Sequence, residues 1–265
     1  MNIRKSLLLL IFIFPLSAFS YVKTNPHGNE KKWDMDIVFI GNSITLGVTL
    51  ADRGKDAPPV IACKYLQSQS QVGDVKIFNN GKNGSTTVDF LPSTGRLFSE
   101  LVAAANQLHT DKQRLLVFSI SLGTNDSAND GTNGAPVSPK AYYANLEAIA
   151  DQLLSSFPDC KIIFQQPIWY SPNTYNGARY LAEGLARLQS YFPELESLVD
   201  HYSRSNPDQV FMGDKKGFKY FKKNYLTDMA HESGKQGIFY LHPNKKGAEM
   251  LGSLWGEAIY NRLIQ

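Results

Sequence analysis

The chain has 265 residues, 43% of them apolar and 19% charged, with a formal charge of +3. That length suits one sizeable domain with a full core, and the near-balanced charge gives no electrostatic footprint for nucleic acid. The sequence holds no repeat, linker or low-complexity stretch, and its two cysteines, Cys63 and Cys160, do not make a disulfide framework.

Residues 1–20 read as a signal peptide. Arg4 and Lys5 precede an apolar run from Leu7 to Phe14 that is too short to span a bilayer comfortably. Ala18 and Ser20 supply small residues at a signal-peptidase spacing, so cleavage is expected after Ser20. No cysteine lies there to carry a lipid. The expectation is a secreted or periplasmic protein without stable membrane insertion, whose residues 21–265 form a single domain of charge near +1 once Arg4 and Lys5 are gone. The lysine pairs 215–216 and 222–223 read as solvated faces. Both cysteines lie in apolar contexts and read as buried small side chains, with a Cys63–Cys160 bridge left open.

After a polar arm over 21–33, Ile37 to Ile40 is a short β-branched run between Asp36 and Gly41, as expected of a buried parallel strand. Ser43 follows its end. A helix starts at Pro58 or Pro59, where proline fits the first turn. Val75 to Phe78 is the second strand and runs into a glycine-rich polar loop, 79–87. Leu97 to Leu108 is an amphipathic helix. Leu115 to Leu122 is the strongest strand and enters Gly123-Thr-Asn-Asp126. Ser138-Pro139 opens a helix to about Phe157. Lys161 to Phe164 is the fourth strand, followed by an aromatic loop, Trp169 to Tyr175. Helical patterning from Ala178 to Leu198 is expected to break near Pro193. Gln209 to Met212 is the fifth strand. A basic, aromatic stretch from Phe218 to Tyr225 precedes Tyr240-Leu-His-Pro-Asn244 and a terminal helix over 246–263.

Alternating strands and helices predict parallel βαβ units in a three-layer α/β/α sandwich with five strands ordered 2-1-3-4-5. Ser43, Gly84 and Asn125 then fall just past the ends of strands one, two and three, on the sheet edge where such folds bind ligands. Ser43 alone is ambiguous, since a serine there can merely cap the next segment. Three coincident loops fit acyl transfer. Ser43 is placed to attack, and His242 to serve as base. The backbone N–H groups of Ser43 and Gly84 and the amide of Asn125 are placed to receive an oxyanion.

With these blocks the chain resembles the SGNH hydrolases, or GDSL-type esterases. Gly41-Asn-Ser-Ile-Thr45 stands for the first block, with Asn42 where Asp is more usual. Asn79, Gly81 and Gly84 match the second, Gly123-Thr-Asn-Asp126 the third and His242-Pro-Asn-Lys-Lys-Gly247 the last. The resemblance implies a flavodoxin-like sheet, ester hydrolysis without metal or cofactor, and the roles given to Ser43, Gly84, Asn125 and His242.

One position departs from the pattern. The family usually carries Asp three residues before the base histidine, and here that residue is Phe239. His231 competes as base because Asp228 precedes it by three. His242 is preferred for the Pro-Asn-x-x-Gly run that follows it. Its orienting partner is then a backbone carbonyl, Asp228 or Glu232. The resemblance extends to secreted carbohydrate O-acetylesterases acting on plant polysaccharide or sialic acid. Trp169, Tyr170 and Tyr175 are candidates to stack on sugar, and Arg53 and Arg179 to meet a sialate carboxylate. Two other readings stand beside a secreted acetylesterase. One is a lysophospholipase or general short-chain esterase. The other is a carbohydrate-binding protein on a hydrolase fold without turnover.

Overall fold

Strand β1 (Trp33–Gly41) is the centre of the molecule, and its alternating side chains feed two cores. Met35, Ile37 and Phe39 point to one face of the sheet, Val38 and Ile40 to the other, and all are fully buried. The structure is a computed structural model that describes residues 32–265. The signal-peptide reading of residues 1–20 and most of the arm over 21–33 lie outside those residues.

β1 pairs in parallel with β2 (Val72–Gly81) and β3 (Leu115–Ser121), β3 with β4 (Lys161–Phe164), and β4 with β5 (Val210–Met212). The order is 2-1-3-4-5, as the alternation of elements predicts. Behind β1 come two short helices, α1 (Ser43–Leu46) and α2 (Arg53–Asp56), and then α3 (Pro58–Gln67). α4 (Arg96–Leu108), α5 (Pro139–Ser156) and α6 (Leu181–Ser205) pack through Leu101, Leu146, Ile149, Leu153, Leu188 and Tyr191 on the Val38/Ile40 face. α3, α7 (Gly217–Asp228) and α8 (Lys245–Leu263) cover the other through Leu66, Phe221, Leu251 and Trp255. Among the described residues no helix is long and apolar enough to cross a membrane.

Four features differ from the sequence reading. Asp36 does not bound β1 but lies inside it, fully buried, because Arg114 Nε at 2.6 Å and His109 Nδ1 at 3.0 Å satisfy its carboxylate. α6 runs through Pro193 rather than ending there. Leu188, Tyr191, Leu195, Leu198 and Tyr202 keep one buried face on both sides of the proline, and that packing outweighs the lost backbone hydrogen bond. The basic stretch over 218–225, to which the sequence pattern assigns no element, is helical, part of α7. Finally, β6 (Glu232–Gly234) and β7 (Gly237–Phe239) form a small antiparallel hairpin outside the main sheet. Both cysteines are free thiols: Cys160 is buried in the core under α4–α6, and Cys63 packs against the opposite core.

Candidate active site

The carboxyl ends of β1, β2 and β3 bring three loops together. Gly41 and Gly81 are register partners, and the chain leaving each crosses the other closely. A Cβ at Gly81 would lie 2.3 Å from the backbone nitrogen of Leu46. Asn79 locks this crossing, donating to Thr45 O at 2.9 Å and accepting from Gly81 N–H at 3.0 Å. Asn42 caps α1, its Oδ1 accepting from Ile44 N–H at 2.9 Å. An aspartate would make the same bond, so the family's usual residue and this one are equivalent as caps.

Ser43 is therefore set at the start of α1, buried but lining the cleft, with its Oγ 2.8 Å from His242 Nε2. His242 is held by its own loop. Its carbonyl accepts from Ala230 N–H at 2.8 Å, and the carbonyl of Pro243 accepts from Thr49 Oγ1 at 2.7 Å. Asn244 caps α8 by accepting from Gly247 N–H at 3.1 Å. Gly247 lets α8 close on α7, since a Cβ there would sit 1.9 Å from Asp228 O. The His-Pro-Asn-x-x-Gly run is thus one turn whose parts fix the histidine.

Glu232 completes the line. Its Oε2 lies 2.8 Å from His242 Nδ1, and its Oε1 accepts from the backbone N–H of His242 at 3.1 Å. A carboxylate in that position makes Nδ1 the protonated nitrogen and leaves Nε2 free to accept from Ser43. The Glu232 side chain is 21% exposed and that of His242 9%, so the pair is shielded but reachable by water. Asp228 is elsewhere. Its carboxylate takes bonds from Lys246 at 2.7 Å, Thr227 Oγ1 at 2.6 Å and Tyr220 OH at 2.5 Å. Burial opposes its charge, but those donors hold its carboxyl below the ordinary range. His231 is exposed on the surface, with its ring edge-on to Tyr240.

The second and third loops supply donors. Gly84 adopts φ +76°, with nothing within 4 Å of a Cβ built there, so glycine is needed for the backbone angle rather than for space. Among the described residues, the backbone N–H groups of Ser43 and Gly84 give no hydrogen bond. Asn125 Nδ2 donates one hydrogen to Ser85 O at 2.8 Å, and its Oδ1 accepts from Tyr180 OH at 2.6 Å, which leaves its second amide hydrogen for the cleft. Below it, burial pushes the carboxyl of Asp126 up to about 6, against hydrogen bonds from Thr87. Ser43, Gly84, Asn125 and His242 line one cleft of about 310 Å³, together with Asn83, Thr132, Asn176 and Tyr180. On the other side of Ser43, Ile44, Val48, Leu50, Pro58 and Pro243 leave no space the size of a water molecule.

Residues 39–250 match the sequence profile of the GDSL-like lipase/acylhydrolase family. The chain belongs to that family. Within solved structures, this GDSL-like hydrolase is similar to an acetylxylan esterase from Geobacillus stearothermophilus, at 16% identity over 89% of this chain and 97% of that one, with a TM-score of 0.58. It is similar to a carbohydrate acetylesterase from Sinorhizobium meliloti, at 16% identity over 86% and 99%, with a TM-score of 0.56. A lipase/acylhydrolase from Enterococcus faecalis aligns at 18% identity over 86% and 96%, with a TM-score of 0.55. At these identities the likeness is one of fold. No curated protein sequence matches the chain.

The GDSL-like hydrolase places its other candidate residues unevenly. Trp169 and Tyr170 do not overhang the cleft. Trp169 packs on Tyr225 in the core under α3 and α8, and Tyr170 is fully buried against Tyr180, its hydroxyl 2.8 Å from Ser127 Oγ. Both rings fill apolar space, Tyr170 in one core and Trp169 in the other. Tyr175 is half-buried, covered by Lys235 Nζ at 4.6 Å from its ring centre. Arg179 is occupied by Asp130 at 2.8 Å, and Arg53 is exposed and donates to Val48 O at 3.3 Å. Neither arginine lines the cleft around Ser43. The sequence reading missed Asn83, Asn176 and Tyr180 as lining residues, while Thr132 comes from the 126–139 segment that the sequence places over the site. It also missed the β6–β7 hairpin, although Gly234-Lys-Gln-Gly237 between short strand-like runs is a hairpin signal.

Proposed function

We propose that this hydrolase is an exported serine esterase that removes short acyl groups, acetyl foremost, from carbohydrate. The observation that carries the reading is the continuous line from Ser43 Oγ through the His242 ring to Glu232, at 2.8 Å on each side. In this reading Ser43 Oγ attacks the ester carbon while His242 Nε2 takes its proton. The oxygen gathers negative charge before the backbone N–H groups of Ser43 and Gly84 and the amide of Asn125. His242 then gives the proton to the leaving alcohol, and a water, deprotonated by the same nitrogen, releases the acid and restores Ser43. Glu232 holds the ring in the accepting tautomer and stabilises the imidazolium.

The lining supports the choice of substrate. One recess beside Ser43 is filled, and the open cleft presents the amides of Asn83, Asn125 and Asn176, the hydroxyls of Thr132 and Tyr180 and glycine backbone, beside the apolar Ala178 and Leu241. The amides and hydroxyls among them match sugar hydroxyls. The acetylesterase activities of the two carbohydrate-active structural relatives agree with this reading. Residues 1–20 are taken as the leader and 21–265 as the working enzyme, with the product N-terminus at Tyr21.

Purified residues 21–265 are expected to release acetate from acetylated glycans and to prefer p-nitrophenyl acetate over the octanoate. Ser43→Ala is expected to abolish both. Octanoate preference would move the assignment to a lipase-like enzyme. Glycan binding with no turnover would make the fold a binding protein.

A further inference from the structure

Tyr180 is only 3% exposed, yet its hydroxyl reaches the one side-chain donor of the proposed oxyanion hole. The sense of that contact is fixed. Ser85 O can only accept, so the nitrogen of the Asn125 amide faces Ser85 and the oxygen faces Tyr180. Tyr180 is therefore the donor. Burial pushes its phenol well above the ordinary range, so the proton is present at every working pH.

The backbone beside Tyr180 is built to aim this side chain. Leu181 stands in the left-handed region at φ 55°, a conformation that non-glycine residues rarely adopt. The N–H groups of Tyr180 and Leu181 both donate to Thr174 O at 3.2 Å, and Asn129 Nδ2 donates to Tyr180 O at 3.1 Å. The ring meets Tyr170 edge-on at 5.3 Å, and Tyr170 is tied through Ser127 to Thr124 O, in the loop that carries Asn125. Gly184 lets α6 approach that loop, since a Cβ there would lie 2.9 Å from Ser127 O. A disfavoured backbone angle held by this many bonds is a usual mark of a functional position.

Resting on the oxyanion-hole reading above, we infer that Tyr180 is a positioning residue that acts through Asn125, fixing the plane of its amide and strengthening its free N–H toward the oxyanion. The phenol donates to the amide oxygen, the amide becomes more polarised, and its remaining hydrogen becomes a better donor as negative charge builds. Tyr180 serves the transition state and not the ground state, so its loss should appear in kcat and not in KM.

The test is a cycle of Tyr180→Phe, Asn125→Ala and the double variant in residues 21–265, assayed with p-nitrophenyl acetate. Asn125→Ala alone is expected to cost about 100- to 1000-fold in kcat. Tyr180→Phe keeps the ring and is expected to cost about 3- to 10-fold in kcat, the size of one neutral hydrogen bond, with KM within about 2-fold. In the Asn125→Ala background Tyr180→Phe should cost nothing further. Replacing Tyr180 by a fluorinated tyrosine, which keeps the shape and is the stronger donor, should leave kcat at or above the parent. An unchanged kcat in Tyr180→Phe overturns the inference. So does an equal loss in both backgrounds, or a fluorotyrosine enzyme as slow as the phenylalanine one. If Ser43→Ala keeps turnover, or Asn125→Ala keeps its kcat, the underlying reading falls and this inference with it.

Discussion

Glu232 offers the sharpest test of the site, because two substitutions there should fail for different reasons. Its two oxygens meet two donors on one residue, Nδ1–H and the backbone N–H of His242, at 2.8 and 3.1 Å. Glu232→Ala removes both acceptors and lets water replace them. The lost stabilisation of the imidazolium is bounded by Coulomb's law at about 4 kcal/mol for charges 4 Å apart at an effective dielectric of 20. With Glu232 21% exposed, screening lowers that bound, so a loss of about 100-fold in kcat is expected. Glu232→Gln has one oxygen for two donors. If the oxygen stays on the backbone N–H, the new NH2 faces Nδ1 and forces the proton onto Nε2, the tautomer that cannot accept from Ser43. Amidation of the acid in a serine-protease triad costs about 10⁴-fold by that route. The expected order is therefore parent, then alanine, then glutamine, with Asp228→Asn close to the parent. Initial rates on p-nitrophenyl acetate decide it, with Tm measured on each variant. Glutamine and alanine variants within 3-fold of the parent would refute the placement of Glu232 in the reaction. An Asp228→Asn enzyme as slow as either would move the acid to Asp228.

Other expectations follow from single contacts. Asp126 is fully buried with its carboxyl raised to about 6 from 3.8, so the native state binds the extra proton between those values and stability falls as pH rises through them. By pH 7 the loss is about 3 kcal/mol, and Asp126→Asn should flatten the drop in Tm between pH 4 and pH 7; parallel Tm curves for the two proteins would contradict this. Gly247→Ala puts a methyl 1.9 Å from Asp228 O and should lower stability by about 1–3 kcal/mol in urea titration, whereas an unshifted midpoint would mean the α7–α8 closure is soft. Asn173 Nδ2 donates to Gln236 O at 3.2 Å and Ile238 O at 2.7 Å. Asn173→Ala should therefore speed amide exchange over 232–239 and cut kcat about 3- to 10-fold with little change in Tm; unchanged exchange there would show that the hairpin stands without it.

The sequence carried the layout of the sheet because its signals are local. β4 falls on Lys161–Phe164 as the apolar run indicates, and Pro139 opens α5. Ser43, Gly84, Asn125 and His242 were legible as a group because each lies beside a strand end or helix start that the pattern marks. What was not legible depends on contacts between distant segments. Asp36 reads as a strand boundary until Arg114, 78 residues away, reaches its carboxylate. Trp169 and Tyr170 follow a strand end, and an aromatic pair there looks the same whether it faces sugar or core. Tyr180 meets Asn125 across 55 residues, through a hydroxyl with no local partner to announce it. Glu232 could be named but not separated from Asp228, since only the hairpin shows which carboxylate turns toward the histidine.

That hairpin pairs Glu232 directly opposite Phe239, the residue three before His242 where the family usually keeps its acid. Directly opposed residues of an antiparallel pair share a face, so the carboxylate has in effect crossed the ladder to the neighbouring strand. Its aim is then governed by the length of the turn at Lys235-Gln236. Side chains alternate with a period of two, and the loss of one turn residue would turn Glu232 away and set His231 opposite Phe239 in its place. A single-codon deletion at 235 or 236 would leave all four recognisable blocks intact and still unseat the acid. For a lineage carrying this arrangement, the proposed reaction would make the length of a two-residue turn as heritable a determinant of activity as the serine itself.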